Sequence, residues 1–157
     1  MLRPIPQRIL RDMVTIKVCT GVDVWQKPVW QETLVKNVHL QNTNEVRKTA
    51  NNTEVVLRSI LFIDARRSVP ALDYDALAMQ SEAAGRSMRA VVMDFKGRRI
   101  GDYEVLVVDT GPNVPSTTTH HVELGLVCAS RLKLTVQRGK RRLMQRQIKR
   151  LLRWPTK

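Results

Sequence analysis

Aromatic residues, cysteines and long apolar runs are scarce in this 157-residue chain, and each scarcity excludes a class of protein. Only 4% of the residues are aromatic, too few for a strand surface that stacks on successive nucleic-acid bases. Cys19 and Cys128 lack CxxC spacing, so we expect buried thiols, with a disulfide between neighbouring strands as the alternative. No apolar run approaches the roughly eighteen residues of a membrane-spanning helix, so no membrane partner is expected.

Acidic residues are missing from the end of the chain, which is where most of its net charge of +13 resides. All fourteen acidic residues lie at or before Glu123, together with sixteen of the twenty-seven basic residues, so this body carries only about +2. Residues 124–157 contain eleven basic residues and no acid. The sequence therefore predicts an extended N-terminal arm (1–12), a β-domain (13–134) and a basic helical C-terminal extension (135–157).

Catalytic and metal-binding patterns are missing as well. The chain has no P-loop, no dinucleotide fingerprint and no GxSxG motif. His120 and His121 are neighbours on a predicted strand, so we expect their side chains on opposite faces, where they cannot share one metal ion. Asp109 and Glu123 are too isolated in the sequence to form an acid–base pair. We therefore predict that the protein is not an enzyme, uses no cofactor, and has neither catalytic nor metal-binding residues.

The pattern that is present is that of a β-sheet. Apolar and polar residues alternate with period two in several short segments rich in branched side chains. The predicted strands are residues 13–20, 34–40, 54–64, 89–94, 103–108 and 120–134. Residues 54–64 are continuous enough to be a central strand, and a short helix is predicted near 72–84, with Asp73 and Asp75 at its start. The predicted fold class is mainly β, a small antiparallel barrel or sandwich of five to six strands.

Two segments interrupt this alternation. Residues 41–53 are rich in asparagine and threonine, which bond to local backbone, so a long exposed loop is predicted. Such a loop is either functional or a tolerated surface insertion. Trp25 and Trp30 flank Pro28, which places them on an edge or loop. There they cover one end of a barrel or a subunit contact, with base stacking as the alternative.

The end of the chain has the pattern of a basic amphipathic helix. Residues 141–153 are strong helix formers, with Leu143, Ile148 and Leu151 at helical spacing and basic side chains around them. Such a helix docks on an acidic protein face or on the domain itself, lies on a membrane surface, or contacts nucleic-acid phosphates. The basic side chains available for these contacts are Lys140, Arg141, Arg142, Arg146, Lys149, Arg150 and Arg153.

Five segments carry a resemblance to a known family. They are Ile5-Pro6-Gln7-Arg8-Ile9-Leu10, Thr20-Gly21-Val22-Asp23-Val24-Trp25-Gln26-Lys27-Pro28, Ser59-Ile60-Leu61-Phe62-Ile63-Asp64-Ala65, Asp102-Tyr103-Glu104-Val105 and His120-His121-Val122-Glu123-Leu124-Gly125-Leu126-Val127. In these segments and their order, the chain resembles small minor capsid proteins of tailed bacteriophages, thought to act as head–tail connector or head-completion (stopper) proteins. It departs from the family through extra residues at 72–88 and by continuing well past the usual end.

The resemblance implies that the β-domain is a barrel-shaped connector subunit in a homo-oligomeric ring of roughly six or twelve copies. The ring would lie in the virion at the head–tail interface, after assembly in the host cytoplasm. Its partners would be portal or adaptor proteins, a tail-completion protein and packaged DNA. The basic extension would reach DNA or the portal.

The resemblance also assigns residues to these contacts. The loop at 42–53 would project into the channel and help to retain DNA. Its residues are Asn42, Asn44, Arg47, Lys48 and Asn51. We also predict a subunit interface that contains Trp25, Trp30, His120 and His121.

A second hypothesis fits the same composition, a nucleic-acid-binding small β-barrel with a basic tail, of ribosomal or cold-shock type. Such a protein would interleave aromatic and basic residues on its strands, and this chain lacks that pattern. The structural connector is therefore the leading hypothesis.

Overall fold

A computed structural model describes residues 3–49, 51–112 and 119–129. The elements within these ranges are β1 (Asp12–Val22), β2 (Pro28–Asn42), β3 (Val46–Lys48), β4 (Glu54–Val56), β5 (Ser59–Asp64), α1 (Tyr74–Ala83), β6 (Arg89–Met93), β7 (Arg99–Pro112) and β8 (Thr119–Cys128). Six strands form a closed antiparallel barrel in the spatial order β1-β2-β5-β8-β7-β6, and β3 pairs with β4 in a separate two-stranded sheet. The predicted mainly-β fold with one short helix is confirmed.

The chain divides into two compact units, Met1–Val127 and Cys128–Lys157. The barrel core, the small sheet and the helix belong to the first unit. The predicted basic extension 135–157 lies outside the described residues, and so does the end of the predicted last strand, residues 130–134.

The alternating pattern explains how the barrel closes around a core. Every second side chain of a regular strand points inward, and most of the inward side chains here are aliphatic. The buried ones on the barrel strands include Val14, Ile16, Val18, Val35, Val38, Leu61, Ile63, Ala90, Val92, Val122, Leu124 and Leu126. In β2 an irregularity at Asn37 shifts this alternation by one residue. Burial of one such valine, leucine or isoleucine stabilises the fold by about 1.5–3 kcal/mol relative to exposure. A one-residue slip of any strand would turn these side chains to solvent, so the core also fixes the register.

The predicted strand at 54–64 is wrong in one respect, since it is two strands in two sheets. β4 pairs with β3, whereas β5 pairs with β2 and β8. The change of partner falls where Leu57 N–H donates to the Glu45 carbonyl and Arg58 N–H donates to the Leu126 carbonyl, each at 2.8 Å. A continuous apolar run indicates burial but not which strand lies alongside, so this break has no sequence signal.

The predicted long loop at 41–53 is also wrong. β2 continues to Asn42, and β3 and β4 form a hairpin over most of the remainder. Thr49 N–H donates to the Thr53 carbonyl at 2.9 Å, and Thr53 N–H donates back to Thr49 Oγ1 at 3.3 Å. The polar side chains that indicated a loop therefore close a hairpin turn.

The same five-residue turn closes three hairpins, at 23–27 between β1 and β2, at 49–53 between β3 and β4, and at 94–98 between β6 and β7. In each turn, the first N–H donates to the fifth carbonyl at 2.8–2.9 Å, and the fourth N–H donates to the first carbonyl at 2.9–3.0 Å. The side-chain oxygen of the first residue, Asp23, Thr49 or Asp94, accepts the fifth N–H. The fourth residues have positive φ and are Gln26 (60°), Asn52 (59°) and Gly97 (78°).

Helix α1 lies between β5 and β6 along the chain, as the sequence predicts, and contacts β1 and β7. The Asp73 carboxylate accepts the Ala76 N–H at 3.1 Å and so caps the first turn. The buried hydroxyl of Ser81 accepts the Cys19 N–H at 3.1 Å, which fastens the helix to β1. Cys19 is buried as predicted, and its Sγ donates to the Gly21 carbonyl at 3.3 Å. In the part of the chain that the structure describes, no helix is long and apolar enough to cross a membrane.

Candidate functional site at the β3–β4 hairpin

The β3–β4 hairpin leaves the barrel between β2 and β5, the second and third strands of the barrel along the chain. Its base is tied by Thr43 N–H, which donates to the Arg58 carbonyl at 3.0 Å. Val46 lies opposite Val56, and these side chains are 60% and 56% exposed. Because neighbouring side chains on a strand point to opposite faces, Arg47 lies on the other face of the hairpin. One face thus exposes the valine pair and the Lys48–Glu54 pair, while the other carries Arg47.

The Arg47 guanidinium fastens this second face to the barrel. Its Nη2 lies 2.8 Å from Glu123 Oε2 on β8, and its Nη1 lies 3.5 Å from Asp109 Oδ2 on β7. Its Nε donates to Glu45 Oε2 at 3.1 Å beside the hairpin. Burial disfavours the charged guanidinium, but the hydrogen bonds and charges of Glu123 and Glu45 outweigh burial and raise the pKa of Arg47. Arg47 therefore remains a cation that joins two barrel strands to the hairpin.

Glu123 extends this contact to a histidine pair. Its Oε1 lies 3.3 Å from His121 Nε2, His121 Nδ1 lies 2.8 Å from His120 Nδ1, and His120 Nε2 lies 2.8 Å from the Arg3 carbonyl. The network runs from the N-terminal arm through β8 to the hairpin. We call these four side chains, Arg47, Glu123, His121 and His120, the clamp.

The expectation that His120 and His121 point to opposite faces is wrong. Their rings meet edge to face, with centroids 5.1 Å apart. The expectation considered the strand alone, but both residues lie at the start of β8, where the Arg3 carbonyl of the N-terminal arm contacts the His120 ring. Gly111 on β7 provides space for His121, because a Cβ atom there would overlap the His121 ring. The pair therefore forms one polar unit.

The partners of the two rings determine where their protons lie. The Arg3 carbonyl can only accept, so His120 Nε2 carries a proton, and the Glu123 carboxylate can only accept, so His121 Nε2 carries another. The contact between the two Nδ1 atoms needs one shared proton.

The structure brings together residues that the sequence assigned to different sites. Arg47 was predicted in the channel loop, whereas His120 and His121 were predicted at a subunit interface, and all three are in the clamp. Glu123 was discounted as isolated, although it lies two residues from His121 on the same strand. That spacing puts both side chains on one face of β8 and is the signal that could have identified the pair.

The other predicted site residues are separate from the clamp. Asn42 Oδ1 accepts the Ser59 hydroxyl at 3.0 Å, which ties β2 to β5, while Asn44, Lys48 and Asn51 are exposed. Lys140 to Arg153 of the predicted tail contacts lie outside the described residues.

The two tryptophans of the predicted interface differ from each other. Trp25 is 78% exposed in the β1–β2 turn. Trp30 lies within β2, half-buried, with the Arg89 guanidinium 6.0 Å from its ring centroid. The predicted edge or loop around Pro28 is thus a turn that holds Trp25, followed by the first part of β2, which contains Trp30 and pairs with β1 but not with β5. Proline is tolerated as the first residue of a strand, and β2 begins at Pro28.

Comparisons of this chain with protein-family models, curated proteins and solved structures find no match. Within the described ranges, no group of three or more His, Cys, Asp or Glu residues could hold a metal ion. The clamp can hold the hairpin on the barrel.

Proposed function

We propose that this chain is a structural subunit of the head–tail connector of a tailed bacteriophage. It acts as a stopper or head-completion protein in a ring that joins the portal or adaptor to the tail and helps to retain packaged DNA. The observation that supports this most is a closed barrel from which a hairpin extends between the second and third barrel strands. The family resemblance places the channel segment at this position.

The clamp suits a segment that must stay in place beside DNA. Three carboxylates surround Arg47, so its charge is largely used within the subunit. The exposed side chains left for DNA in the channel are Asn44, Lys48 and Asn51. Such contacts to phosphate are independent of DNA sequence, as retention of any packaged genome requires.

The composition of the last part of the chain supports the same function. A ring multiplies the eleven basic residues of 124–157 into a strongly positive collar, which attracts DNA whatever its sequence. In this proposal, the tail contacts DNA or the portal. The protein resides in the virion at the head–tail interface and in the host cytoplasm during assembly, and it has no catalytic activity.

The nucleic-acid-binding barrel remains the alternative proposal, and the placement of the exposed aromatic rings does not favour it. Trp25 and Phe95 lie in the turns that follow β1 and β6. These strands are antiparallel neighbours, so the two turns lie at opposite ends of the barrel. A track of stacked bases needs rings along one surface.

Mass photometry of the purified protein, alone and with DNA at low and high salt, distinguishes the two proposals. The connector predicts a ring, with salt-sensitive DNA binding that disappears when residues 134–157 are removed. A monomer whose DNA or RNA binding survives that truncation would overturn the connector in favour of the nucleic-acid-binding barrel.

A further inference from the structure

The tip of the β1–β2 hairpin presents large apolar side chains to water. Val24 is 90% exposed and Trp25 78% exposed, and Val22 and Val29 beside them are about half-exposed. We call these four side chains the knob. An exposed apolar cluster around a tryptophan is typical of a protein–protein contact, where tryptophan is among the residues that contribute most to binding.

The backbone under the knob is held in one conformation. Asp23 Oδ1 accepts the N–H groups of both Trp25 and Lys27 at 2.8 Å, and Gln26 N–H donates to the Asp23 carbonyl at 3.0 Å. A partner would therefore bind the knob without first ordering this loop, which lowers the entropic cost of association. Lys27, two residues further along the same turn, adds a positive charge to this end of the hairpin.

The β6–β7 turn has the same geometry but a different surface. Phe95 is 64% exposed there, and the ammonium of Lys96 lies 5.5 Å from its ring centroid. A lysine of the same turn thus covers part of that ring. This turn is a matched control for the knob.

A groove with complementary properties lies between α1, the β3–β4 hairpin and β7, with a volume of about 420 Å³. Its apolar wall includes Met79, which is 65% exposed, and Val107. Three carboxylates, Asp75, Glu82 and Asp109, and one ammonium, Lys48, line its rim. The groove is therefore apolar inside and negatively charged at its edge.

Asp109 of the groove pairs with Arg47, whereas the other acidic groups of the groove and the lysine beside the knob are unused within the subunit. None of the ion pairs among the described residues involves Lys27, Asp75 or Glu82. A positive apolar projection and a negative apolar groove complement each other in both shape and charge. The two surfaces differ, so one copy can offer its knob to one neighbour and its groove to another, a head-to-tail arrangement that forms a ring when the rotation between copies closes.

We propose that the knob of one copy inserts into the groove of a second copy, with Lys27 facing Asp75 and Glu82. This contact rests on the ring of the proposed function and gives that ring its subunit interface. Burial of one tryptophan covers roughly 150–250 Å², well below the roughly 800 Å² per partner of a stable pair. Two copies alone therefore associate weakly, and the closed ring is favoured because each copy then makes two such contacts.

Sedimentation velocity of the full-length chain over roughly a hundredfold range of concentration tests this contact. Trp25→Ala should raise the concentration needed for half-assembly about tenfold or more, whereas Phe95→Ala should leave it unchanged. Lys27→Glu and Glu82→Lys should each weaken assembly, and the double variant should restore it by exchanging the two charges. Far-ultraviolet circular dichroism of each variant shows whether it is folded.

The outcomes separate the contact from the ring. Rings that persist in Trp25→Ala, or a charge exchange that restores nothing, would overturn the knob contact and leave the connector proposal standing. Assembly that is lost on removal of residues 134–157 but unaffected by Trp25→Ala would overturn the knob contact. The subunit contact would then depend on residues 134–157. A wild-type chain that stays monomeric at every concentration would count against both the contact and a self-assembling ring.

Discussion

The β1–β2 and β3–β4 hairpins are closed by the same kind of turn, but the first exposes apolar side chains to solvent and the second binds the barrel. The β1–β2 turn exposes Val24 and Trp25 to solvent. The β3–β4 hairpin uses Arg47 to bind Glu123 and Asp109 of the barrel. The turn geometry is therefore a shared backbone element, and the side chains at and beside it determine whether a hairpin binds the barrel or remains available to a partner.

Leu57→Ala should give the largest effect, because Leu57 is fully buried at the base of the β3–β4 hairpin, against the backbone of Gly125. We expect a loss of about 2–5 kcal/mol in the free energy of unfolding from the lost burial and the cavity left behind. Val24→Ala at the exposed tip of the other hairpin is the control and should change stability by less than about 0.5 kcal/mol. Urea unfolding measures both. If both substitutions lowered the free energy of unfolding equally, the two hairpins would be held to the barrel equally strongly, which would contradict the comparison.

Gly111→Ala should have the next largest effect. The added Cβ would overlap the His121 ring and push it away from His120 and Glu123. We expect a cost of about 1–3 kcal/mol, as for other overpacking substitutions. Thr110→Ala, at the exposed neighbouring position, should be nearly neutral. Thermal unfolding measures the stability of both variants. Nuclear magnetic resonance spectra of Gly111→Ala that still show the His120 and His121 rings in contact would contradict the clamp geometry.

Exchanging the residues with positive φ tests whether the turns share one backbone. Gln26 and Gly97 occupy the same position in two turns, at φ 60° and 78°. Gln26→Gly should stabilise the protein by about 0.5–1 kcal/mol by removing the strain of a side chain at positive φ, and Gly97→Gln should destabilise it by a similar amount. Open space around the Gly97 position means that the cost there arises from the backbone alone. Chemical denaturation measures whether the free energy of unfolding rises in Gln26→Gly and falls in Gly97→Gln.

Acid should weaken the β6–β7 turn through Asp94, with the smallest effect of the series. The backbone N–H of Arg98, then its side chain and the N–H of Lys96, donate to the Asp94 carboxylate and lower its pKa. Because this pKa is lower in the folded chain, its stabilisation is present above the unfolded pKa and lost as pH falls through the folded value. Unfolding free energies from neutral to strongly acidic pH should fall less steeply for Asp94→Asn than for the wild type. If the free energy of unfolding fell equally steeply with pH in both proteins, Asp94 would not be a cause of the acid sensitivity.

Local patterns predicted the barrel strands and the helix with acidic residues at its start, because each depends on the spacing of neighbouring residues. The hairpin at 46–56 was predicted as a loop because Thr49 and Thr53 mark a turn and a loop equally well. The clamp was not predicted, because Arg47 and Glu123 meet only when the barrel brings β8 beside the hairpin. Alternation along one strand carries no information about contacts between distant segments.

The most direct test of the clamp is hydrogen exchange in wild type, Arg47→Met, Glu123→Gln and the double variant. We expect the amide of Leu57, which donates to Glu45 across the hairpin, to lose protection about tenfold or more in each single variant. Amides of Ile16 and Val92 in the barrel should retain their protection. The double variant should lose less than the two single losses combined, because both remove one interaction. Unchanged protection of Leu57 in Arg47→Met would contradict the claim that Arg47 holds the hairpin on the barrel.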